Sequence, residues 1–290
     1  MKILLAGSGG QLAQELQPIL LSSGEVIAVD RTSLDLSKAE SIRQAMAEIQ
    51  PDLVVNAGAY TAVDKAEIEP ELAQAVNGIA PGILAEECEK LGSTLIHIST
   101  DYVFDGSQGS PYLETDSTNP LGTYGKSKLM GEEAIRKAGN RHIIIRTAWV
   151  YGNGGKGNFV KTMLRLGKER EEIRVVADQV GSPTWTGDLA AAISHIIPHV
   201  QPENFGTYQY TNSGVCSWYD FAIAIFEEAE KIGFPLKVQR VVPITTSEYP
   251  TPAKRPAFSV LSSVKISALL GTHPPHWRQG LRQMLAREVK

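Results

Sequence analysis

Short apolar runs alternating with helix-spaced segments dominate the first half of the chain. Lys2 to Ala6 reads as a buried strand, Gly7 to Gly10 as a turn, and residues 11–21 as a helix with Leu12, Leu16 and Leu20 on one face. Residues 25–29 form the next apolar run, ending at Asp30, and Ile42, Ala45, Met46 and Ile49 mark a second amphipathic helix. A third strand is expected at 53–55. Such alternation predicts a parallel sheet covered by helices on both faces.

The pattern continues with a helical stretch over 71–91, a strand at 94–99, a helix around 127–138 and a strand at 142–146. Five strands are therefore expected before Ala148. Beyond it, Gly152, Gly154, Gly155 and Gly157 open a glycine-rich segment ahead of a helix over 159–166, and a second apolar helix is expected over 189–197. Residues 208–211 resemble a short strand, and Ser217 to Asp220 can cap a helix ending near Lys231. Pro243, Pro250, Pro252 and Pro256 favour an extended stretch before a small helical terminus.

Composition changes this picture little. The 290 residues are 42% hydrophobic and 21% charged, as in an ordinary globular protein, and a net charge of -4 gives no reason to expect nucleic acid. No apolar run approaches the ~18 residues of a membrane span. The start of the chain reads as a strand rather than a signal peptide. Two cysteines, Cys88 and Cys216, do not make a disulfide framework, and the expectation is a reducing, cytoplasmic setting without membrane attachment. The six histidines show no metal-ligand spacing.

The turn Gly7-Ser8-Gly9-Gly10-Gln11-Leu12-Ala13 sits between a strand and a helix, the context a dinucleotide fingerprint requires. Glycine lets pyrophosphate approach the backbone, and free N–H groups at the helix start favour its charge. The expected fold class is thus α/β: a Rossmann-type parallel sheet over residues 1–148, with a smaller substrate-binding region over 149–290 and return segments to the sheet. Asp30, 23 positions after Gly7, can bond an adenine ribose, whereas Arg31 can attract a 2′-phosphate, so NADH and NADPH both stay open. Asp35 and Leu36 can lie beside the adenine, or Asp35 can cap the following helix. Ala57, Gly58, Ala59 and Tyr60 allow a ligand near the backbone or simply pack a turn. Asn77 orients a backbone there or joins a helical hydrogen-bond network.

Tyr124-Gly125-Lys126-Ser127-Lys128 places a phenol and an ammonium one helical turn apart. Such a pair can protonate a carbonyl while a nicotinamide delivers hydride, provided that a nearby cation brings the phenol, with an ordinary pKa of about 10, within reach. Lys128 can supply that cation and can also bond the nicotinamide ribose. Thr100 ends a predicted strand, where ligand sites concentrate, with Ser99 as a competing hydroxyl.

Together with Ala59-Tyr60-Thr61-Ala62-Val63-Asp64-Lys65-Ala66-Glu67, Ser99-Thr100-Asp101-Tyr102-Val103-Phe104-Asp105-Gly106, Asp178-Gln179-x-Gly181-x-Pro183-Thr184 and Ser217-Trp218-Tyr219, these motifs resemble the extended short-chain dehydrogenase/reductases. Among those, they are most similar to the dTDP-4-dehydrorhamnose reductase family. The resemblance implies reduction of the C4 ketone of a dTDP-linked 4-ketosugar, with Thr100, Tyr124 and Lys128 as catalytic residues; a reductase of another nucleotide-linked 4-ketosugar and a noncatalytic cofactor-binding regulatory subunit are the alternatives. It implies that Thr61, Val63, Asp101, Tyr102, Trp149 and Asn158 border the sugar and that Arg255 meets the diphosphate. Trp149 as core packing, Asn158 as a loop anchor and Arg255 as a solvated surface residue are the competing readings. Some relatives bind Mg2+ at a dimer interface, so a monomer, a homodimer and a Mg2+-linked homodimer are all compatible with the sequence. Ala13 for a third glycine and Gly58 for an alanine are the visible departures.

Overall fold

The computed structural model describes residues 1–288. Six parallel strands form one sheet, in the spatial order Gly206–Gln209, His142–Thr147, Thr94–Thr100, Leu53–Asn56, Lys2–Ala6, Glu25–Val29. The first strand is internal. The second lies on one side of it and the third on the other, which opens a crevice beyond Ala6 and Asn56 where the winding reverses.

Alternate residues of the same strands feed two cores. Ile3, Leu5, Leu53, Val55, Ile96, Ile143 and Ile145 pack with Leu12, Leu16 and Leu20, while Leu4, Val54, Leu95 and Ile144 pack on the opposite face with Ile42, Met46 and Leu84. Two-sided burial is why these strands read as continuous apolar runs. The sixth strand is Gly206–Gln209, two residues earlier than the expected 208–211, and it pairs with His142–Thr147. The Thr186–Ile196 helix packs on the first helix, Gln11–Leu20, so the later half does return to the sheet.

A third core lies outside the sheet. Val160, Met163 and Leu164 from the Phe159–Glu169 helix meet Phe221 and Ile225 from the Trp218–Lys231 helix and Leu281 and Met284 from Trp277–Glu288. Beside it, the sequence around Pro243 forms a strand, Arg240–Ile244, paired in parallel with Glu172–Val176. A proline is tolerated there because this two-stranded ribbon has only edges. Among the described residues no helix is long and apolar enough to cross a membrane.

Two helices depart from expectation near the site. The helix expected from 127 begins at Thr123, so Tyr124 lies within it. The expected 71–91 helix is interrupted by a π-helical turn, Ala75–Ile79, between Pro70–Gln74 and Ala80–Leu91. Such turns recur at functional sites because they re-aim one side chain out of helical register. Here that side chain is Asn77. Gly131 makes room for the turn, since a Cβ there would lie 2.1 Å from the Asn77 carbonyl oxygen.

A buried ion cluster locks the Thr123–Ala138 helix to the sheet. Glu132, with no exposed surface, accepts from Arg146 Nε at 3.0 Å and Nη2 at 2.7 Å, from Arg136 Nη2 at 2.6 Å and from Ser99 Oγ at 2.6 Å. Burial alone would push the Glu132 carboxyl upward, but these donors outweigh it and hold it below the ordinary carboxylate range. A depressed carboxylate contributes stability that is present above its unfolded value and lost as the pH falls through its folded one. Removing Arg146 strands a buried charge, so Arg146→Met should cost about 3–5 kcal/mol in urea unfolding. Arg165→Met, which breaks a solvent-exposed pair with Glu169, should leave the midpoint nearly unchanged. Equal effects of the two substitutions would contradict this account.

Candidate active site

The crevice at the reversal point is closed in by backbone. Gly7 has φ +85°, and a Cβ on it would lie 2.7 Å from the Gly58 backbone. The glycine turns after the first and third strands thus touch. At Gly58, the departure from alanine, a Cβ would press on the Leu36 side chain at 2.7 Å. Gln11–Leu20 starts with no side-chain cap, which leaves first-turn N–H groups for an anion. Gln11 itself turns away, donating to the Val150 carbonyl and accepting from Asn158 Nδ2 at 3.2 Å.

Asp30 to Leu36, expected at the adenine end, follow the second strand. Asp30 Oδ1 accepts from the Thr32 amide at 2.9 Å and hydroxyl at 2.6 Å, and these bonds lower its carboxyl, while Oδ2 has no protein partner among the described residues. An ionised oxygen facing outward fits a ribose hydroxyl. Arg31 is 76% exposed and 3.7 Å from Asp35. Asp35 Oδ1 accepts from the Ser37 amide and hydroxyl, which closes a local turn; the helix that follows, Ala39–Ile49, has Lys38 at its start and no side-chain cap, so Asp35 does not cap it. Glycine cradle, bare helix start and free carboxylate oxygen together fit a dinucleotide.

Asn77 settles its own alternatives by doing both jobs. Its Oδ1 accepts from the Tyr60 amide at 2.9 Å, and its Nδ2 donates to the Tyr60 carbonyl at 3.0 Å and to Ser127 Oγ at 3.1 Å. The Ala57–Tyr60 segment is thereby tied to the Tyr124 helix. Glu67, the last residue of the 59–67 motif and without an expected role of its own, adds a second tie by accepting from the Thr123 amide at 2.7 Å and hydroxyl at 2.9 Å. A carboxylate at that helix start suits both its free N–H groups and its dipole.

The reacting groups lie beyond the Thr94–Thr100 strand. Thr100 Oγ1 donates to Asp101 Oδ1 at 3.0 Å and accepts from the Tyr102 amide at 3.2 Å. Ser99 is spent on Glu132, which leaves Thr100 as the hydroxyl beside Tyr124. Tyr102 and Tyr124 meet edge to face, with ring centroids 5.5 Å apart. Burial pushes the Tyr124 phenol up to about 12; the Thr100 hydroxyl opposes the shift and the Asp101 charge adds to it. Asp101 is itself raised to about 6 by burial, against the Ser259 and Thr100 hydroxyls.

Lys128 corrects one expectation. Its side chain is buried, but Nζ donates to the Ile98 carbonyl at 2.6 Å and lies 3.2 Å from His97 Nε2. It therefore does not bring the Tyr124 phenol down here, because its head is turned into the sheet. Burial lowers Lys128 to about 8, with the Glu132 charge opposing. Sequence spacing placed Lys128 one turn from Tyr124, but only packing shows where its head points.

The sugar-side candidates divide. Thr61 is exposed and Val63 half-buried at the start of Val63–Ala66. Trp149, at φ +48°, stacks on Trp218 with centroids 3.5 Å apart and planes 6° apart, so one face is already covered by protein. Asn158 caps Phe159–Glu169 and holds the Gly152 carbonyl, as a loop anchor does. Arg255 pairs with Asp64 at 2.8 Å, which ties the proline-rich stretch to the short helix Val63–Ala66 that follows the third strand. No three His, Cys, Asp or Glu side chains converge on a metal position among the described residues.

Fold and site are those of an NAD(P)H-dependent oxidoreductase of the extended short-chain dehydrogenase/reductase type. A family model described as the RmlD substrate binding domain matches residues 1–289, and the dTDP-4-dehydrorhamnose reductase of Burkholderia thailandensis is 45% identical over 286 residues, 96% of each chain. The chain belongs to the dTDP-4-dehydrorhamnose reductase family. The crystal structure of such a reductase from Clostridium acetobutylicum is similar at a TM-score of 0.93, with 41% identity and 100% of both chains covered. That of the Bacillus anthracis enzyme, in complex with NADP, gives 0.92, with 38% identity over 99% of each chain.

Gly7→Ala tests the cradle. A non-glycine residue at this φ costs roughly 1–2 kcal/mol, and its Cβ would also drive the two turns apart. NADPH affinity, followed by nicotinamide fluorescence, should fall about tenfold or more. Unchanged affinity would remove Gly7 from the cofactor site.

Proposed function

We propose that the chain reduces the C4 ketone of dTDP-4-dehydro-β-L-rhamnose to give dTDP-L-rhamnose, with Tyr124 as the proton donor. The observation carrying this reading is Tyr124 beside Thr100 at the carboxyl end of the sheet, one turn from a buried lysine, in a chain with 45% identity to reductases of that substrate. Bound NAD(P)H supplies the hydride. Asp30 and Arg31 together accommodate either the ribose hydroxyl or the 2′-phosphate form.

Thr100 holds the carbonyl oxygen through its hydroxyl, and Tyr124 passes its phenolic proton to that oxygen as negative charge develops there. Because burial keeps the phenol protonated far above neutral pH, the acid form is available throughout the physiological range. Lys128 swings from the Ile98 carbonyl to the nicotinamide ribose and stabilises the tyrosinate left behind. Tyr102 and Val63 border the sugar ring. Trp149 forms a wall once Trp218 gives up part of the stack, and Arg255 shares its guanidinium between Asp64 and the substrate diphosphate.

No step is assigned to Mg2+, and a homodimer is compatible with this scheme without being required by it. Tyr124→Phe should lower kcat by about 10²–10⁴-fold while folding and NADPH affinity are retained. The assay follows NADH or NADPH oxidation and sugar product from enzymatically generated dTDP-4-dehydrorhamnose. Equal turnover by the variant and the parent would exclude Tyr124 as the acid, and no product from the parent would exclude the substrate.

A further inference from the structure

A chain of three buried side chains links the cofactor turn to Lys128, and its hydrogen-bond polarity can be worked out. Asn56 Oδ1 accepts from the Gly58 amide at 3.2 Å, which fixes the orientation of the Asn56 amide. Asn56 Nδ2 then faces His97 Nδ1 at 3.1 Å. An amide nitrogen only donates, so Nδ1 must offer a lone pair. In a neutral imidazole the proton is therefore on Nε2, and Nε2 lies 3.2 Å from Lys128 Nζ.

The last link makes a demand on the lysine. An N–H aimed at Nζ is a hydrogen bond only if Nζ carries a lone pair, as an amine does and an ammonium does not. Nζ can still donate to the Ile98 carbonyl in that form. Asn56 and His97 are wholly buried and Lys128 is 1% exposed, so water cannot repair a mismatch without a cost of about 1–3 kcal/mol.

We propose that Asn56 and His97 are positioning residues forming a reversible hydrogen-bond wire, which holds Lys128 as a neutral amine in the free protein and as an ammonium once cofactor is bound. In the second state Lys128 donates to His97 Nε2, His97 Nδ1–H donates to Asn56 Oδ1, and the flipped Asn56 amide releases the Gly58 N–H. That amide belongs to the turn pressed against Gly7, so seating a cofactor and reversing the wire act on the same atoms. The reversed state rests on Lys128 meeting ribose hydroxyls, as in the function above. The amine gains its third proton from solvent, one per cofactor bound.

Burial lowers Lys128 to about 8, so the amine is the resting form above that pH. The titratable groups facing Lys128 are Glu132 on its own helix, already satisfied by Arg146, Arg136 and Ser99, and His97 from the strand. Burial drives His97 well below its usual value, with the Lys128 charge acting in the same direction, so the imidazole is neutral and its tautomer is the free variable.

The tautomer can be read directly. Two-bond nitrogen–proton NMR on imidazole-labelled protein distinguishes Nε2–H from Nδ1–H, and the His97 signal is the one lost in His97→Gln. With both spectra taken one pH unit above the Lys128 titration, the wire requires Nε2–H in the free protein and Nδ1–H with saturating NADPH. Binding heats in two buffers of different ionisation enthalpy should show uptake of about one proton per NADPH, measured one pH unit above the Lys128 titration. Nδ1–H or imidazolium in the free protein, or no change on saturation, overturns the proposal.

Asn56→Asp provides a second arm because a carboxylate only accepts. It should fix Nδ1–H and abolish proton uptake; persistent Nε2–H would count against the wire. If this variant does not fold, the parent spectra decide alone. Turnover of the dTDP-sugar with an unchanging tautomer defeats the wire and spares the function. A tautomer switch without turnover does the reverse.

Discussion

A lysine side chain with 1% exposure, between the central sheet and its longest helix, is the constraint around which the site is built. A buried cation-forming group is costly unless its surroundings either neutralise it or bond every proton. Both devices are present. The Ile98 carbonyl and His97 engage Nζ, and Glu132 one turn along the helix is itself compensated by two arginines and a serine. That cluster fixes the helix on the sheet, and the helix carries Tyr124 to Thr100.

The cofactor crevice depends on the same helix through different atoms. Asn77 reaches from a π-helical turn to both backbone groups of Tyr60 and to Ser127, while Glu67 holds the helix start. The loop after the third strand is thus clamped to the catalytic helix, and its other end presses Gly58 against Gly7. The Gly7 turn, Lys128 and Tyr124, the proposed proton donor, form one mechanically coupled unit, although residues 7 and 128 lie far apart in sequence.

Much of the sheet was legible because its strands are buried on both faces. Ile143, Ile144 and Ile145 read as a strand without any knowledge of their neighbours, and the glycine turn and Tyr124–Lys128 spacing stood out for similarly local reasons. The sixth strand was legible only as a short strand two residues too late, and its place in the sheet was not, since Gly206–Gln209 gains that place by pairing with a strand some sixty residues earlier. The π-turn was hidden in an uninterrupted helical pattern, and Arg240–Ile244 was hidden by Pro243. His97 offered one unused signal: a histidine inside the apolar run Leu95-Ile96-His97-Ile98 must find buried partners. The roles of Asn56, Glu67 and Glu132 depend on contacts that local spacing does not encode.

The later half contributes a core of its own and the covering loops, with Trp149 stacked on Trp218 and Arg255 latched to Asp64. Both pairs occupy groups proposed to meet the substrate, Trp149 at the sugar and Arg255 at the diphosphate, so in that reading substrate entry shares or breaks them. The measurement that tests the account most directly is the structure of Tyr124→Phe with NADPH and dTDP-4-dehydrorhamnose bound. The account predicts the C4 carbonyl oxygen within hydrogen-bond distance of Thr100 Oγ1, beside the position of the missing phenol oxygen, with Lys128 turned from the Ile98 carbonyl to the ribose. A ketone seated away from Thr100, or Lys128 still bound to the Ile98 carbonyl, would contradict it.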